Sequence, residues 1–446
     1  MKPLPPTPTL DDLFRLPPER VRAVAERAAA LDDLAYLHWE ALRHRTPPAG
    51  LSSKEWWFAL KWRRASAAVQ VPRLRAINGR TLTYTRHARV ELGVSRMDRF
   101  LAGPQTLPQA AASPATRDQY LASSLMEEAI HSSLFEGAVS TREAAKDMLR
   151  SRREPLNRDE RMILNNFRAM ERLREMAPEP LSLDGVLELH RILTDGTLDD
   201  DSQAGKLQQP GDVRVDVVDH RVNRIVHTPP PAEQLPERMA ALIAFANAPD
   251  IEDGQYLHPV LRSILLHFQL AYDHPFYDGN GRTARALFYW SMLHRGYWLA
   301  EFFSISRLLY RNRRPYELAY QQVESDDQDA TYFLIQQLEV LDQAVAELFA
   351  YVERKGSAQA VLRRRLADRG DLNHRQLALL DHALRRPEAE YSHDSHATSH
   401  RISGVTARAD LLDLVDKGWL RAVRSGRRVI YLPAEDLETR MQQGHP

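Results

Sequence analysis

Apolar residues recur with the 3.6-residue period of an α-helix along most of this 446-residue chain. Near the N-terminus, Val21, Val24 and Ala28 share one face, and the pattern predicts a single long helix from Pro18 to Leu42. Further along, it predicts helices near 118–135, 157–175, 183–194, 232–247, 258–273, 282–295 and 315–352. The pattern is typical of a mainly α protein.

Two pairs of short segments follow the two-residue period of β-strands instead. Residues 212–217 and 222–227 alternate apolar and polar side chains across a polar turn and precede three prolines, which predicts a β-hairpin. Two further strand-like runs flank the dipeptide Asn78-Gly79, a common hairpin turn. We therefore expect small hairpins within a helical bundle.

The pattern changes again after Gly356. A basic hairpin is predicted around Ser425, and it follows predicted helices at 373–384, 395–402 and 405–417. Three helices and a basic hairpin in this order resemble a winged helix-turn-helix domain. Pro and Gly residues also interrupt the helical pattern before residue 115. The sequence therefore predicts an N-terminal helical region at 1–115, a central domain at 116–356 and a winged-helix domain at 357–446.

Composition narrows the classes of partner and compartment. Sixty Lys and Arg residues balance sixty Asp and Glu residues, so no chain-wide field favours a nucleic acid or a membrane. The lack of cysteine excludes disulfides, thiolate metal sites and a cysteine nucleophile. No apolar run approaches the roughly 20 residues that span a bilayer, and the Pro-rich N-terminus does not resemble a signal peptide. We expect a cytoplasmic protein with no membrane partner.

The segment from His274 to Arg285 carries the clearest candidate chemistry. It lies between two helical patterns, because Pro275 ends the first helix and a Gly-Asn-Gly turn opens the second. Such a turn exposes backbone N–H groups at the positive end of a helix, which suits a phosphate group. Gly279, Asn280 and Gly281 are therefore candidate anion-binding residues.

Charged side chains in the same segment fit a nucleoside triphosphate. Arg282 and Arg285 are three residues apart on one helix face, and their planar groups match phosphate oxygens. Asp278 would be repelled by a polyphosphate unless Mg²⁺ bridged the two. His274, with an ordinary pKa near ~6.5, suits the removal of a proton from an attacking hydroxyl. One such turn alone would be interpreted as a helix cap beside a structural histidine, but eight compatible positions within twelve residues favour a functional site.

These twelve residues also match the signature H-x-F-x-[D/E]-G-N-G-R-x-x-R of the Fic (Fido) family at every specified position. The resemblance extends over about 118–352 and includes Leu189-His190-Arg191, the hairpin with its trailing prolines and Tyr316. It implies a helical Fic bundle with a β-hairpin flap. It also implies AMPylation, the transfer of AMP from Mg-ATP to a Ser, Thr or Tyr hydroxyl of a target protein, either another protein or the chain itself.

The resemblance assigns roles to individual residues. It implies that His274 is the base, that Phe276 packs the loop and that Asp278 binds magnesium. The Gly-Asn-Gly turn becomes the anion cradle, and the two arginines bind the outer phosphates. The flap would align the target segment by adding a strand to it. Gln208 stands upstream of the flap where many relatives carry arginine.

A second local match bears on regulation. Residues 132–137 resemble the inhibitory motif [S/T]-x-x-x-E-[G/N] of the same family, with Ser132, Glu136 and Gly137 at its specified positions. Taken alone, Glu136 would be interpreted as a solvated carboxylate at a helix end. The resemblance implies instead that Glu136 reaches Arg285 and inhibits the enzyme.

The C-terminal segment carries weaker signals. The segment from Arg401 to Arg428 contains seven basic residues and only three aspartates, an excess of positive charge that could bind DNA phosphates. The candidate DNA contacts are Arg401, Thr406, Arg408, Arg427 and Arg428. A docking or homodimerising role for the same fold stays open, because fold alone does not assign function. His393, His396 and His400 share a helical spacing, but with no acidic or cysteine partner in view they are interpreted as ordinary polar surface.

Two other functions stay open for the chain as a whole. The first uses the same pocket in reverse, with Glu136 orienting a water that removes AMP from a modified protein. The second is a DNA-binding regulator in which the nucleotide site only senses its ligand.

Overall fold

The computed structural model describes residues 4–102, 114–151, 153–219, 224–367, 371–400, 402–425, 428–437 and 439–440. The chain divides into two compact units. One comprises Met1–Thr106 and Ala122–Ala346, and the other comprises Leu107–Leu121 and Glu347–Pro446. The predicted division at 115 and 356 stays a prediction, since one compact unit can contain more than one domain. No helix among the described residues is long and apolar enough to cross a membrane.

Between residues 4 and 97, the N-terminal part of the first unit holds five α-helices and one hairpin. Their bounds are α1 Leu10–Phe14, α2 Pro18–Ala28, α3 Trp39–Leu42, α4 Ser53–Ser66, β1 Ala68–Arg75, β2 Thr81–Thr85 and α5 Ala88–Met97. Helices α1 to α4 pack around a shared apolar core that includes Leu42, Trp57 and Phe58. Strands β1 and β2 pair antiparallel across the turn at Asn78 and Gly79.

The single helix predicted from Pro18 to Leu42 is wrong. Helix α2 ends at Ala28, and α3 begins only at Trp39. The Asp32 carboxylate accepts a hydrogen bond from the backbone N–H of Leu34 at 2.9 Å, a local bond that competes with helical pairing. Asp33 meanwhile pairs with the buried Arg64 of α4. The chain therefore turns at these aspartates although the apolar period continues.

The rest of the first unit is a helical bundle around two central helices. Its elements are α6 Pro114–Phe135, α7 Arg142–Ser151, α8 Arg158–Met176, α9 Leu183–Thr194, β3 Val217–Asp219, β4 Arg224–His227, α10 Leu235–Asn247, β5 Ile251–Glu252, β6 Gln255–Tyr256, α11 Pro259–Asp273, α12 Asn280–His294, α13 Ile305–Arg311, α14 Arg313–Ser325 and α15 Thr331–Ala367. The start of α6, up to residue 121, and the end of α15, from residue 347, belong to the second unit. Helices α11 and α12 are buried along most of their length. The predicted mainly α class is confirmed.

Two details of this bundle differ from the sequence prediction. The helix predicted over 315–352 is two helices, because a turn at Asp327 and Gln328 adopts left-handed backbone angles between α14 and α15. This turn exchanges backbone hydrogen bonds with Thr83 of β2. The predicted hairpin forms, but its first strand is only Val217–Asp219, with Val217 opposite His227. We call strands β3 and β4 the flap.

The second unit contains α16 His374–Arg385, α17 His393–His400, α18 Gly404–Asp416, β7 Leu420–Ser425 and β8 Arg428–Pro433. Its core includes Leu380, Leu411, Trp419 and Tyr431. The element order is the one expected from the sequence, and the assignment as a winged helix-turn-helix stays a prediction. One surface assignment was wrong: His396 is buried, and its Nε2 lies 3.2 Å from the Asp410 carboxylate.

Candidate active site

The loop between α11 and α12 brings the residues of the twelve-residue motif together. Helix α11 ends at Asp273, and His274 follows with left-handed backbone angles of φ 47° and ψ 54°. The Asn280 side chain fastens the loop. It accepts a hydrogen bond from the Phe276 backbone N–H and donates one to the Phe276 carbonyl, both at 2.8 Å. The first residue of α12, Asn280, thus holds the preceding loop in place.

His190 of α9 contacts the same loop through both its ring face and one ring nitrogen. Its ring stacks on the buried Phe276 ring, with centroids 3.8 Å apart. Its Nδ1 accepts the Gly205 N–H at 2.9 Å, so Nε2 carries the proton and donates to the Asp278 carbonyl at 2.8 Å. Burial lowers the pKa of His190 to about 4. The imidazole is therefore neutral, and both of its nitrogens have partners.

His274 faces the cavity as a neutral imidazole. Burial lowers its pKa to about 4, and the nearby charges of His227 and Arg214 act in the same direction. Its Nδ1 lies 3.4 Å from the Ala271 carbonyl. A proton on Nδ1 leaves the Nε2 lone pair able to accept a proton.

The guanidinium group of Arg214 fixes the backbone around His274. It donates to the carbonyls of Asp273 at 2.7 Å, His274 at 3.0 Å and Pro230 at 2.7 Å. It also contacts the side-chain oxygen of Gln208, whose backbone N–H donates to the Pro275 carbonyl at 2.9 Å. A positive group therefore does occupy this region, although Gln208 itself is neutral.

The Gly-Asn-Gly turn forms the N-terminus of α12. Gly279 has φ +81°, and a Cβ there would lie 2.8 Å from the Thr194 methyl group, so only glycine fits. The N–H groups in the first turn of a helix have no intrahelical partner and carry its positive dipole end. A Cβ on Gly281 would overlap Oε1 of Glu136. The Glu136 carboxylate thus sits directly against this helix end.

Both motif arginines are buried beside that helix end. Arg282 donates to the Leu193 carbonyl at 3.0 Å and to the Asp278 carboxylate at 3.2 Å. Arg285 donates to the Ser132 hydroxyl at 3.0 Å, to the Ser132 carbonyl at 3.1 Å and to Glu136 at 2.9 Å. Within the described residues, Nη1 of Arg285 and Nε of Arg282 are buried with no hydrogen-bond partner. These unpaired donors suit an incoming anion.

Glu136 reaches Arg285 because the C-terminus of α6 is fixed. Gly137 adopts φ +100° just after it and turns the chain away. Arg313 of α14 donates to the carbonyls of Leu134 and Phe135, and its guanidinium lies 4.2 Å from the centre of the Phe135 ring. The Arg285 guanidinium lies 5.2 Å from the same ring centre.

A cavity of about 470 Å³ opens in front of these groups. Its lining includes parts of the flap together with Glu136, His274, Asp278, Asn280, Gly281 and Arg285. Asp278 keeps 49% of its side chain exposed there. A neutral base, a carboxylate and a cationic helix end that share one cavity can bind a polyphosphate and take a proton from a hydroxyl beside it.

The candidate DNA contacts lie in the second unit, and not all of them can be described. Arg401 and Arg427 are outside the described residues, and Arg428 begins β8. The Thr406 hydroxyl lies 2.9 Å from that of Ser403 at the start of α18, and Arg408 is exposed on that helix.

Sequence reasoning missed three supporting residues: His190, Arg214 and Arg313. His190 lies within the Leu189-His190-Arg191 stretch that resembles the family, but the sequence alone indicates no role for it. Arg313 belongs to an exposed-looking Arg-Asn-Arg-Arg run. No local pattern marks it as the residue that holds the end of α6.

Residues 180–292 match the model of the Fic/DOC family, so the chain contains a Fic/DOC family domain. A crystal structure of a Fic family protein from Desulfovibrio desulfuricans G20 covers 79% of this chain and 98% of its own, with a TM-score of 0.50 and 20% identity. That likeness indicates a shared fold.

Two curated relatives resemble the central part of the chain. Protein adenylyltransferase Fic of Nematostella vectensis is 32% identical over 119 residues, which make up 27% of this chain and 24% of that protein. Protein adenylyltransferase fic-1 of Caenorhabditis briggsae is 31% identical over 117 residues, or 26% of this chain and 20% of that protein. The match thus spans a quarter or less of the length of these relatives.

Proposed function

We propose that the chain is a protein adenylyltransferase, which transfers AMP from Mg-ATP to a Ser, Thr or Tyr hydroxyl of a target protein. The observation that carries the proposal is the neutral His274 imidazole beside the N-terminus of α12 in one cavity. The names of the two curated relatives support the same activity.

In the proposed reaction, the target hydroxyl oxygen attacks the α-phosphorus of ATP. A bond forms between that oxygen and phosphorus, the bond between the α-phosphorus and its bridging oxygen breaks, and pyrophosphate leaves. His274 Nε2 accepts the hydroxyl proton. The backbone N–H groups at the start of α12 and the two motif arginines bind phosphate oxygens. His190, Asn280 and Arg214 keep the loop in position.

Asp278 fits the role of a magnesium ligand. Its carboxylate is half exposed in the cavity beside the helix end where phosphates would lie. Mg²⁺ is commonly held by one or two carboxylates together with substrate phosphates. When bound, the ion would neutralise phosphate charge, and Asp278 would have to exchange its contact with Arg282 for the metal.

We further propose that Glu136 holds the enzyme in an inhibited state. Its carboxylate lies 2.9 Å from Nη2 of Arg285 and fills space against Gly281. A carboxylate and a phosphate compete for the same guanidinium group. A triphosphate would then bind without its full set of contacts, and its α-phosphorus would be misaligned for attack.

The central test is incubation of the full chain with ATP labelled on its α-phosphate, together with candidate target proteins. We expect label on protein for the wild type, and a loss on the order of 10²–10⁴-fold in rate for His274→Ala. ATP binding should be retained in that variant, because the imidazole acts on the acceptor proton. Equal transfer by His274→Ala would remove His274 from the mechanism. Loss of label from a premodified protein would instead support AMP removal.

A further inference from the structure

Helix α18 of the second unit leaves one side uncovered. Its inner residues Ala407, Asp410, Leu411 and Leu414 are buried. The exposed residues on the other side are spaced as one stripe of a helix, and we call them the α18 outer face: Val405, Arg408, Ala409, Leu412 and Asp416. Val405 is 81% exposed and Leu412 is 40% exposed.

The α18 outer face is poorly suited to DNA. Arg408 is its only basic residue, and Asp416 cancels that charge. Binding to a duplex depends strongly on basic side chains that neutralise phosphates. Three of the five residues on this face are apolar, a composition more typical of contacts between proteins.

The two charged residues are arranged symmetrically about Leu412. Arg408 precedes it by four residues and Asp416 follows it by four, so the charges lie about 6 Å to either side along the axis. Neither residue forms a salt bridge within the part of the chain that the structure describes. If two copies of α18 lie antiparallel about a twofold axis at Leu412, Arg408 of each faces Asp416 of the other.

We propose that the α18 outer face binds the same face of a second copy of this chain. In this arrangement Leu412 meets its own copy, and Ala409 lies opposite the half-buried Val415. The symmetry produces each charge pair twice, as in any isologous interface. Reversing one charge therefore creates two like-charge pairs, whereas exchanging both charges restores two attractive ones.

The contact between two α18 helices is short. Thirteen residues span about 20 Å, so one pair of these helices buries less surface than the roughly 1,200–2,000 Å² of most stable interfaces. We expect a reversible dimer whose population rises with protein concentration. This inference does not depend on the proposed enzyme activity.

The test is sedimentation of the full chain over about 1–200 µM, a range that captures weak association. We expect the wild type to dimerise. Arg408→Asp and Asp416→Arg should each weaken association by about tenfold or more, and the double variant should recover most of that loss. Asp394→Arg is the matched control, because Asp394 is an exposed aspartate of α17 outside this face. Both target side chains are exposed, and circular dichroism verifies that the variants fold.

Several results would overturn the proposal. A wild type that stays monomeric throughout, or a dimer that neither single variant weakens, would rule out this interface. A double variant that associates no more tightly than the single variants would rule out the antiparallel arrangement. A 30-base-pair duplex of mixed sequence is the DNA probe. If the wild type binds it and Arg408→Asp abolishes that binding without changing the oligomeric state, the face serves DNA instead.

Discussion

At the scale of single residues, the protonation state of His274 decides when the proposed base can work. A base must be neutral, and burial lowers the pKa of this imidazole to about 4. We expect the rate of AMP transfer to change little between pH 7 and pH 5.5 and to fall only as the pH approaches 4. An unperturbed histidine would lose most of its activity below pH 6.5.

The measurement is the pH dependence of kcat/KM with labelled ATP in the Glu136→Gly background. The nearby Glu136 carboxylate raises the pKa of His274. Removal of Glu136 should therefore shift the acidic limb of the pH profile to lower pH. An acidic limb near pH 6.5, with the fold intact by circular dichroism, would show that the imidazole is not desolvated in the working enzyme.

His190 provides a second prediction at this scale. His190→Ala removes the ring that stacks on Phe276 and leaves the Gly205 N–H and the Asp278 carbonyl without their partner. We expect kcat to fall about 10²-fold, since a loop displaced by ~1 Å misplaces the reacting groups. The acidic limb of the pH profile should stay in place because His274 is unchanged. A variant with full kcat would show that Asn280 and Arg214 fix the loop without His190.

Much of the candidate site could be predicted from the sequence because its residues are consecutive. One short segment supplies His274, Asp278, the Gly-Asn-Gly turn and both arginines. His190 and Arg214 come from distant segments, and their importance depends on tertiary hydrogen bonds to backbone groups of the loop. A single sequence contains no local pattern for such contacts.

At the scale of elements, the apolar period located most helices well but not every boundary. It predicted 183–194, and α9 spans Leu183–Thr194. It failed where polar side chains redirect the backbone without interrupting the apolar spacing. Asp32 does so after α2, and Asp329 does so before α15 by accepting the N–H of Thr331 at 3.0 Å.

The end of α6 yields a prediction about regulation. Glu136→Gly should raise AMP transfer by about 10–100-fold, because a hydrogen bond to a charged group contributes roughly 1.5–3 kcal/mol. The measurement is label incorporation from α-labelled ATP into protein. Glu136→Gln is the matched variant: it keeps the size of the side chain but lacks the charge, and we expect an intermediate gain.

Arg285→Ala in the Glu136→Gly background is the control for that gain. Without the guanidinium group the triphosphate loses the phosphate contact that Glu136→Gly had freed, so the double variant should lose the increase. If Glu136→Gly transfers no more AMP than the wild type on a protein that His274 modifies, the contact between Glu136 and Arg285 has no inhibitory role.

At the scale of the whole molecule, the N-terminal region is part of the same packed unit as the candidate site. Arg238 of α10 donates to the Asp273 carboxylate at 2.8 Å and to the carbonyl of Ala76 at 3.4 Å. Gln269 donates to the carbonyl of Arg75 at 3.0 Å. The end of the β1 strand is thereby fixed against the residues that precede His274. The sequence did not predict this attachment, because hydrogen bonds to backbone carbonyls leave no sequence pattern.

A buried ion pair within this N-terminal region, one of whose members also contacts the bundle, yields the last prediction. Arg64 of α4 binds both carboxylate oxygens of Asp33, at 2.6 and 2.7 Å, and donates to the Tyr332 hydroxyl of α15 at 3.0 Å. Arg64 is 3% exposed and Asp33 is 7% exposed. Asp33→Ala would leave a buried guanidinium group without its counter-charge. We therefore expect the free energy of unfolding to fall by about 3–5 kcal/mol.

Urea unfolding followed by tryptophan fluorescence measures this loss, because four of the seven tryptophans lie between residues 39 and 62. The matched control is Glu26→Ala, which breaks an ion pair with Arg22 whose side chains are 81% and 63% exposed. Such exposed pairs contribute at most about 1 kcal/mol. If Asp33→Ala costs no more than Glu26→Ala, the guanidinium group finds other partners. The packing of the N-terminal region would then depend mainly on its apolar core.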